Sequence, residues 1–457
     1  MVGGLLFLHR GKAALSPFSL EALPALPHIY PVKPGGNNEF AIPVLGPARI
    51  ASPLKHARYV DEASGVLVDP TLAAYRSKEG EPAVLEQAGP RRKLFFEPDK
   101  VRAAIVTCGG LCPGLNDVIR AVTMVLWYRY GVREIMGLRY GYAGLTETNG
   151  HEPMKLDPET VEDIHKSGGT VLGSSRGPQD PAEMAGFIAN RHIDILFTIG
   201  GDGTQRGAAA IRNEIAKLGF PAAVIGVPKT IDNDISYTER TFGFETATAV
   251  SEMPITSAHM EARGVFNGIG LVKLMGRESG FISAYATLAT SDVNLLLIPE
   301  VPFAMERVLS FLEDRLKRKS HAVIVTAEGA GQDIIGAEGT DESGNRRLGD
   351  IGLYLKDSIS RHFRPPRPRS VVKYIDPSYM IRSAPANADD SVFCFRLAEN
   401  AVHAAMAGKT GLVVGLWNNR FVHVPMQKAV AKRKTVDPDG SLWQSILDNT
   451  GQPAILT

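Results

Sequence analysis

Cysteine is scarce: Cys108, Cys112 and Cys394 are the whole complement of 457 residues, too few for the disulfide framework of a secreted scaffold. A reducing compartment is expected. Cys108 and Cys112 share a glycine-rich turn with no second ligand pair, so they read as small residues packed at a tight turn and not as a zinc site. A surplus of either charge is also lacking, since 50 basic side chains face 49 acidic ones. Nucleic acid is therefore not an expected partner, although a basic cleft for a small anion stays open. No apolar run nears the ~20 residues that cross a bilayer, and the early stretch 2–8 is stopped by His9 and Arg10. No membrane partner is expected. The acid-poor first 35 residues carry no signal-peptide core. The protein-kinase signatures H-R-D and D-F-G are missing as well. Ala407-Gly-Lys-Thr410 only imitates a Walker A loop, because His403 stands where that loop needs glycine and no strand precedes it. It reads as a helix end.

What is present is a repeated grammar in a chain long enough for two or three units, at roughly 100 to 200 residues per domain. Residues 1–96 are proline-rich and weakly periodic, as in Leu23-Pro24, Leu26-Pro27 and Lys33-Pro34-Gly35-Gly36, and read as an irregular arm. From Val101 the pattern changes to apolar run, glycine turn and amphipathic stretch, with the last spanning 116–130. The same order recurs at Ile193-Asp-Ile-Leu-Phe-Thr-Ile-Gly200 and Ala222-Ala-Val-Ile-Gly-Val-Pro228. Strands apolar throughout belong in a parallel sheet covered on both faces, which predicts an α/β fold. Ala322-Val-Ile-Val-Thr-Ala-Glu-Gly329 echoes Ala103-Ala-Ile-Val-Thr-Cys-Gly-Gly110, and the echo suggests two doubly wound, Rossmann-like lobes with mostly parallel sheets. It equally suits two unrelated buried strands of common composition. The expected division is an arm over 1–96, a nucleotide lobe over 97–235 with 410–457, and a substrate lobe over 236–409. Ligands of such sheets bind beyond the carboxyl ends of the strands.

The turns there carry the chemistry. Gly109-Gly-Leu-Cys-Pro-Gly-Leu-Asn116 lets backbone N–H groups approach a phosphate, or merely connects strand to helix. Gly200-Gly-Asp-Gly-Thr-Gln-Arg-Gly207 adds Asp202 as a hard ligand for magnesium, with Thr204 and Gln205 as partners for phosphate or ribose. Capping of the next helix by Asp202 is the plainer alternative. Pro228-Lys-Thr-Ile-Asp-Asn-Asp234 sets two carboxylates two residues apart, one able to take a proton from a hydroxyl and the other to order a metal; ordinary Asx turns explain the same residues. Arg176, Arg277 and Arg382 stand in small-residue or apolar segments where a guanidinium can fork onto phosphate or form a structural ion pair. Several arginines beside two acidic loops suit phosphoryl transfer, which needs positioning and charge neutralisation.

Thr107-Cys-Gly-Gly-Leu-Cys-Pro-Gly114, Leu172-Gly-Ser-Ser-Arg-Gly177, Gly200-Gly-Asp-Gly-Thr204, Pro228-Lys-Thr-Ile-Asp-Asn-Asp234, Lys273-Leu-Met-Gly-Arg277 and Lys373-Tyr-Ile-Asp-Pro-Ser-Tyr-Met-Ile-Arg382 together resemble the 6-phosphofructokinases. The closest likeness is to the plant and trypanosomal ATP-dependent branch, related to pyrophosphate-dependent enzymes, and it covers about 96–425. The resemblance implies phosphoryl transfer from ATP to the 1-hydroxyl of fructose 6-phosphate in glycolysis. It implies Asp232 as the base with Thr230 beside it, Asp202 holding Mg2+, and Gly109 and Arg176 at the transferring phosphoryl group. Gly201, Gly203, Thr204 and Gln205 would line the nucleotide site. Met275, Gly276, Arg277, Glu328, Lys373, Tyr379 and Arg382 would hold the sugar phosphate, in a homotetramer.

Pyrophosphate users typically carry aspartate where Gly203 stands, a charge that would repel a nucleotide α-phosphate. Lys229 points the other way, being the residue expected of pyrophosphate users, but the ATP-using branch combines it with this glycine. The segment Phe266-Asn-Gly-Ile-Gly-Leu-Val272 lacks the arginine by which bacterial enzymes reach a neighbour's sugar site. A non-catalytic sugar-phosphate sensor is the reading from another class, and the intact Asp202, Asp232 and Asp234 speak against it. The chain ends without a Ser-Lys-Leu peroxisomal address, and a cytoplasmic location is expected.

Overall fold

The computed structural model describes residues 39–77, 82–335, 339–340 and 346–457. The proline-rich stretch before residue 39 lies outside them. The strands are β1 (Ile50–Ala51), β2 (Gly65–Leu67), β3 (Val84–Gln87), β4 (Lys93–Leu94), β5 (Arg102–Thr107), β6 (Glu134–Leu138), β7 (Met154–Lys155), β8 (Ile195–Gly200), β9 (Ala223–Pro228), β10 (Gly268–Leu274), β11 (Leu295–Leu297), β12 (His321–Ala327), β13 (Val371–Ile375), β14 (Leu412–Trp417) and β15 (Arg420–Pro425). Nine form one sheet in the order β2-β3-β15-β14-β9-β8-β5-β6-β7, and four form a second in the order β11-β12-β10-β13.

The large sheet is parallel from β14 to β6 and antiparallel at both edges, while the small one is parallel throughout. This is the expected α/β architecture. Its central strands are apolar at every position because both faces are covered: Ile105, Phe197 and Ile225 enter one core while Val106, Leu196 and Val224 enter another. The first of these cores also takes in Val272, Leu274, Val323 and Val325 from the second sheet. Helices Leu115–Met124, Phe244–Arg263 and Ala388–Met406 supply much of the rest, so the two lobes share one interior. The echo between 103–110 and 322–329 is real in structural terms, since β5 and β12 each occupy an interior place in their own sheet.

Two boundaries differ from expectation. Residues 65–67 and 84–87 are not irregular but extend the large sheet through β15. The helix Ala388–Met406, expected in the substrate lobe, packs on Leu115–Met124 and β9. Conversely, Ser441–Thr450 packs on Phe281–Thr290 and β11 of the second lobe, and Gln452 bonds both the N–H and the carbonyl of Leu296. The chain thus returns twice between lobes. The imitation of a Walker loop is a helix end, as read, with Gly408 at φ +78°.

A buried charge cluster secures the β3 edge. Glu86 meets Lys409 at 2.8 Å, Arg91 at 2.8 Å and His423 at 2.9 Å, and all three partners are buried. Burial opposes its charge, yet the hydrogen bond and charge of His423, with Lys409, hold its carboxyl well below the usual range. Glu86→Gln takes from two buried cations their one buried carboxylate, leaving them only an exposed partner, and is expected to cost about 3–5 kcal/mol in urea denaturation. Glu62→Gln removes a partner of the same two cations whose side chain is 65% exposed, and it is expected to cost under about 1 kcal/mol. Equal costs would show that burial does not govern this edge.

Candidate functional site

The carboxyl ends of β5, β8 and β9 face those of β10 and β12 across a cleft of about 710 Å³, walled by both lobes. After β5, Gly109 takes φ +85°, where glycine alone is unstrained. Its N–H donates to the Ser175 carbonyl at 3.2 Å, and Ser174 Oγ donates to its carbonyl at 2.6 Å. The loop 173–177 is thereby pinned to the turn and carries Arg176 with it. A Cβ at Gly110 would stand 3.6 Å from Arg176 and 3.8 Å from Arg382, so two guanidiniums converge on one glycine backbone. Lys229 donates from Nζ to the Gly110 carbonyl at 2.6 Å.

After β8 the chain turns directly into the helix Asp202–Lys217. Gly200 must lack a side chain, because a Cβ would meet Thr204 Oγ1 at 2.2 Å. Asp202 lies in the first helical turn and does not cap it: its carboxylate faces the cleft and meets Arg206 at 3.2 Å and Arg433 at 3.5 Å. A Cβ at Gly203 would meet nothing within 4 Å, so this position opens on free space.

After β9, the Asp232 N–H donates to Thr230 Oγ1 at 3.2 Å and its carbonyl accepts from Ser279 Oγ at 3.0 Å. Asp232 is half-buried and its carboxylate accepts from the backbone N–H of Arg277, whereas its shielded Oδ1 has no hydrogen-bond partner among the described residues. Arg277, Glu328 and Arg382 reach the cleft from the second lobe. Burial pushes Asp232 up to about 7, Asp234 and Glu328 add to the rise through their negative charge, and Arg382 opposes it. Burial likewise raises Asp234 and Glu328 and lowers Lys229.

The phosphofructokinase family profile matches residues 102–405. This chain belongs to the phosphofructokinase family. A relative from Borreliella burgdorferi named ATP-dependent 6-phosphofructokinase is 47% identical over 436 residues, covering 91% of this chain and 97% of the relative. ATP-dependent 6-phosphofructokinase 7 of Arabidopsis thaliana is 49% identical, covering 81% of this chain and 77% of its own. The ATP-dependent 6-phosphofructokinase of Trypanosoma brucei brucei is 46% identical with the same coverages of 81% and 77%. The likeness to the plant and trypanosomal branch is borne out. Among solved structures, the pyrophosphate-dependent phosphofructokinase of Marinobacter aquaeolei superposes with a TM-score of 0.64 at 19% identity, covering 78% of this chain and 92% of that one, and bears out the fold.

Of the residues singled out in the sequence, Gly109, Arg176, Gly201, Asp202, Gly203, Thr204, Lys229, Thr230, Asp232, Arg277, Glu328 and Arg382 line this phosphofructokinase cleft. Gln205 does not: its side chain is buried under the sheet, where its amide donates to the carbonyls of Gly200, Thr198 and Val227. The expected side-chain contact with a nucleotide is corrected by that inward turn. Met275 is buried beside Gly276, whose φ of +121° and whose approach to the Ser279 carbonyl, 2.5 Å from a Cβ there, admit only glycine. These two shape the turn that presents Arg277. Lys373 pairs with Glu261 at 3.0 Å, and Tyr379 is 84% exposed; neither lines the cleft.

Arg433 and Lys434 went unremarked. Their only signal was the basic run Lys432-Arg433-Lys434 past the last strand. Family membership implies a divalent metal cofactor. Among the described residues no cluster of three or more His, Cys, Asp or Glu holds a metal alone. The oxygen donors of Asp202, close enough to Asp234 to raise it, nonetheless fit a hard cation that fills its remaining positions with phosphate oxygens and water.

A base at Asp232 works only when ionised, and its environment favours the neutral acid. The value of kcat/KM is therefore expected to fall as pH drops through about 7. Asp234→Asn removes a like charge and should move this limb to lower pH. A limb that stays put or rises would exclude Asp232 as its source.

Proposed function

We infer that this protein is an ATP-dependent 6-phosphofructokinase, which moves the terminal phosphoryl group of ATP to the 1-hydroxyl of fructose 6-phosphate and yields ADP and fructose 1,6-bisphosphate in glycolysis. The observation that carries the reading is the half-buried Asp232 side chain, with one carboxylate oxygen shielded and unpartnered, in a cleft edged by Arg176, Arg277 and Arg382. Its oxygen takes the proton as the sugar oxygen bonds to phosphorus, and the bond from phosphorus to the ADP oxygen breaks. Thr230 holds the turn at Asp232 and also bonds Asp234. Arg176 and the glycine backbone at 109–110 receive the transferring group, while Arg277, Arg382 and Glu328 hold the sugar phosphate.

Asp202 would hold Mg2+, which when bound neutralises charge on the donor phosphates. Gly201, Gly203 and Thr204 border the nucleotide. Met275, Gly276, Lys373 and Tyr379 are proposed for the sugar end, the first two through backbone shape. The last two lie on the surface, and a homotetramer in which a second copy covers it is the assembly we propose. Cytoplasmic location is part of the same reading; among the described residues no helix is long and apolar enough to cross a membrane.

Pyrophosphate as donor is the second reading, favoured by Lys229. Against it, Lys229 is committed to the Gly110 carbonyl, and the open space at Gly203 suits the α-phosphate of a nucleotide. A coupled assay with each donor separates them: turnover with ATP is expected, and turnover with pyrophosphate alone would overturn the choice. Gly203→Asp meets no steric obstacle, so the variant should fold and lose ATP turnover through charge repulsion. An unchanged rate would free this position of donor choice. For Asp232→Asn a loss of about 10²-fold or more in kcat is expected with the melting point kept. Near-normal turnover would remove it from the role of base.

A further inference from the structure

The segment 430–436 crosses from the first lobe to the second over the acidic end of the cleft. Arg206 donates to the Val430 carbonyl at 3.0 Å, Arg433 bridges to Ile235, and the Lys434 N–H donates to the Asp234 carbonyl at 2.9 Å. Lys434 Nζ is buried on the carbonyls of Thr238 and Glu239, both at 2.9 Å, where burial lowers it to about 8. On the second lobe, Glu300 Oε1 accepts from Val436 N–H at 2.8 Å and Gly280 N–H at 2.9 Å. The backbone on either side of Arg433 is thus fixed at both lobes.

The Arg433 side chain, by contrast, is loosely engaged. Its guanidinium lines the cleft, 3.5 Å from Asp202 and 3.0 Å from a largely exposed Glu278. Two such contacts leave donors of a five-N–H fork to spare, and an exposed pair is worth little. Asp202 is already shared with Arg206 at 3.2 Å. Once that carboxylate serves a divalent cation, Arg433 loses its nearest counter-charge inside the cleft. Asp234, whose charge Arg433 already favours, remains nearby, but a ligand phosphate offers the oxygens that a guanidinium grips in bidentate fashion.

We propose that Arg433 is a donor-binding residue of the phosphoryl-transfer site, holding terminal phosphate oxygens of the nucleotide from a strap that spans both lobes. The proposal deepens the reading of this cleft as an ATP site and rests on it. The test measures binding of β,γ-methylene-ATP and of fructose 6-phosphate by calorimetry, with magnesium present, to the full chain. Wild type is expected to bind both, and failure to bind the nucleotide would sink the ATP reading itself. Arg433→Ala is expected to bind the nucleotide analogue about 10- to 100-fold more weakly, the range for a charged hydrogen bond, with sugar affinity within about threefold. Added guanidinium should restore part of its kcat, and Arg433→Lys, which keeps charge without the fork, should fall between. If the variant binds the analogue as wild type does, or loses both ligands together with a lowered melting midpoint, Arg433 is a structural ion pair and the proposal is wrong.

Discussion

A half-buried carboxylate with one shielded oxygen is the constraint around which this cleft is arranged. Asp232 lies where the end of β9 meets the turn after β10, and desolvation is the largest of the influences that raise it. Asp234 and Glu328 push the same way, so three half-buried acidic groups lie close together on the wall of the cleft. Guanidiniums offset this gathering from separate directions: Arg277 from the turn after β10, Arg382 from the short helix after β13, and Arg433 from the strap. The result is a base poised near neutral pH beside cations ready for phosphate.

Both lobes are needed for this balance, and the shared interior explains why they hold register. The inward faces of the two sheets and three helices between them form one apolar cluster. A shift of one lobe against the other would open cavities in close-packed cores as well as separate Asp232 from Arg277. The buried aspartate Asp390 adds a polar tie: it accepts from the N–H groups of Gly243 and Thr246 at the start of the helix Phe244–Arg263, while standing in the first turn of Ala388–Met406. Acidic charge at two helix N-termini favours both.

Much of the candidate site was legible because it consists of turns that immediately follow apolar strands. Gly109, Asp202 and Asp232 each sit a few residues beyond such a run, and parallel sheets direct those turns to one edge. Gln205 was misread for an equally physical reason: its motif names a polar side chain but not its partners, and the amide is spent on the carbonyls of Gly200, Thr198 and Val227 at the ends of β8 and β9 instead of facing the cleft. The short strands β2 and β3 were passed over because they are three and four residues long. At that length periodicity carries little signal.

The sequence by itself determined the parallel α/β core, through strands apolar on both faces, and the kinds of side chain available at each strand end, including the open Gly203. It also determined family membership, since six ordered motifs leave little room for another scaffold. Only the tertiary structure decided which of those groups meet. The convergence of Arg176 with Arg382, the arrival of Arg433 beside Asp202, and the exchange of helices between lobes join segments some two hundred residues apart. Local periodicity reports which face of an element is buried, whereas the charge balance that sets the ionisation of Asp232 depends on through-space distances that no local pattern encodes.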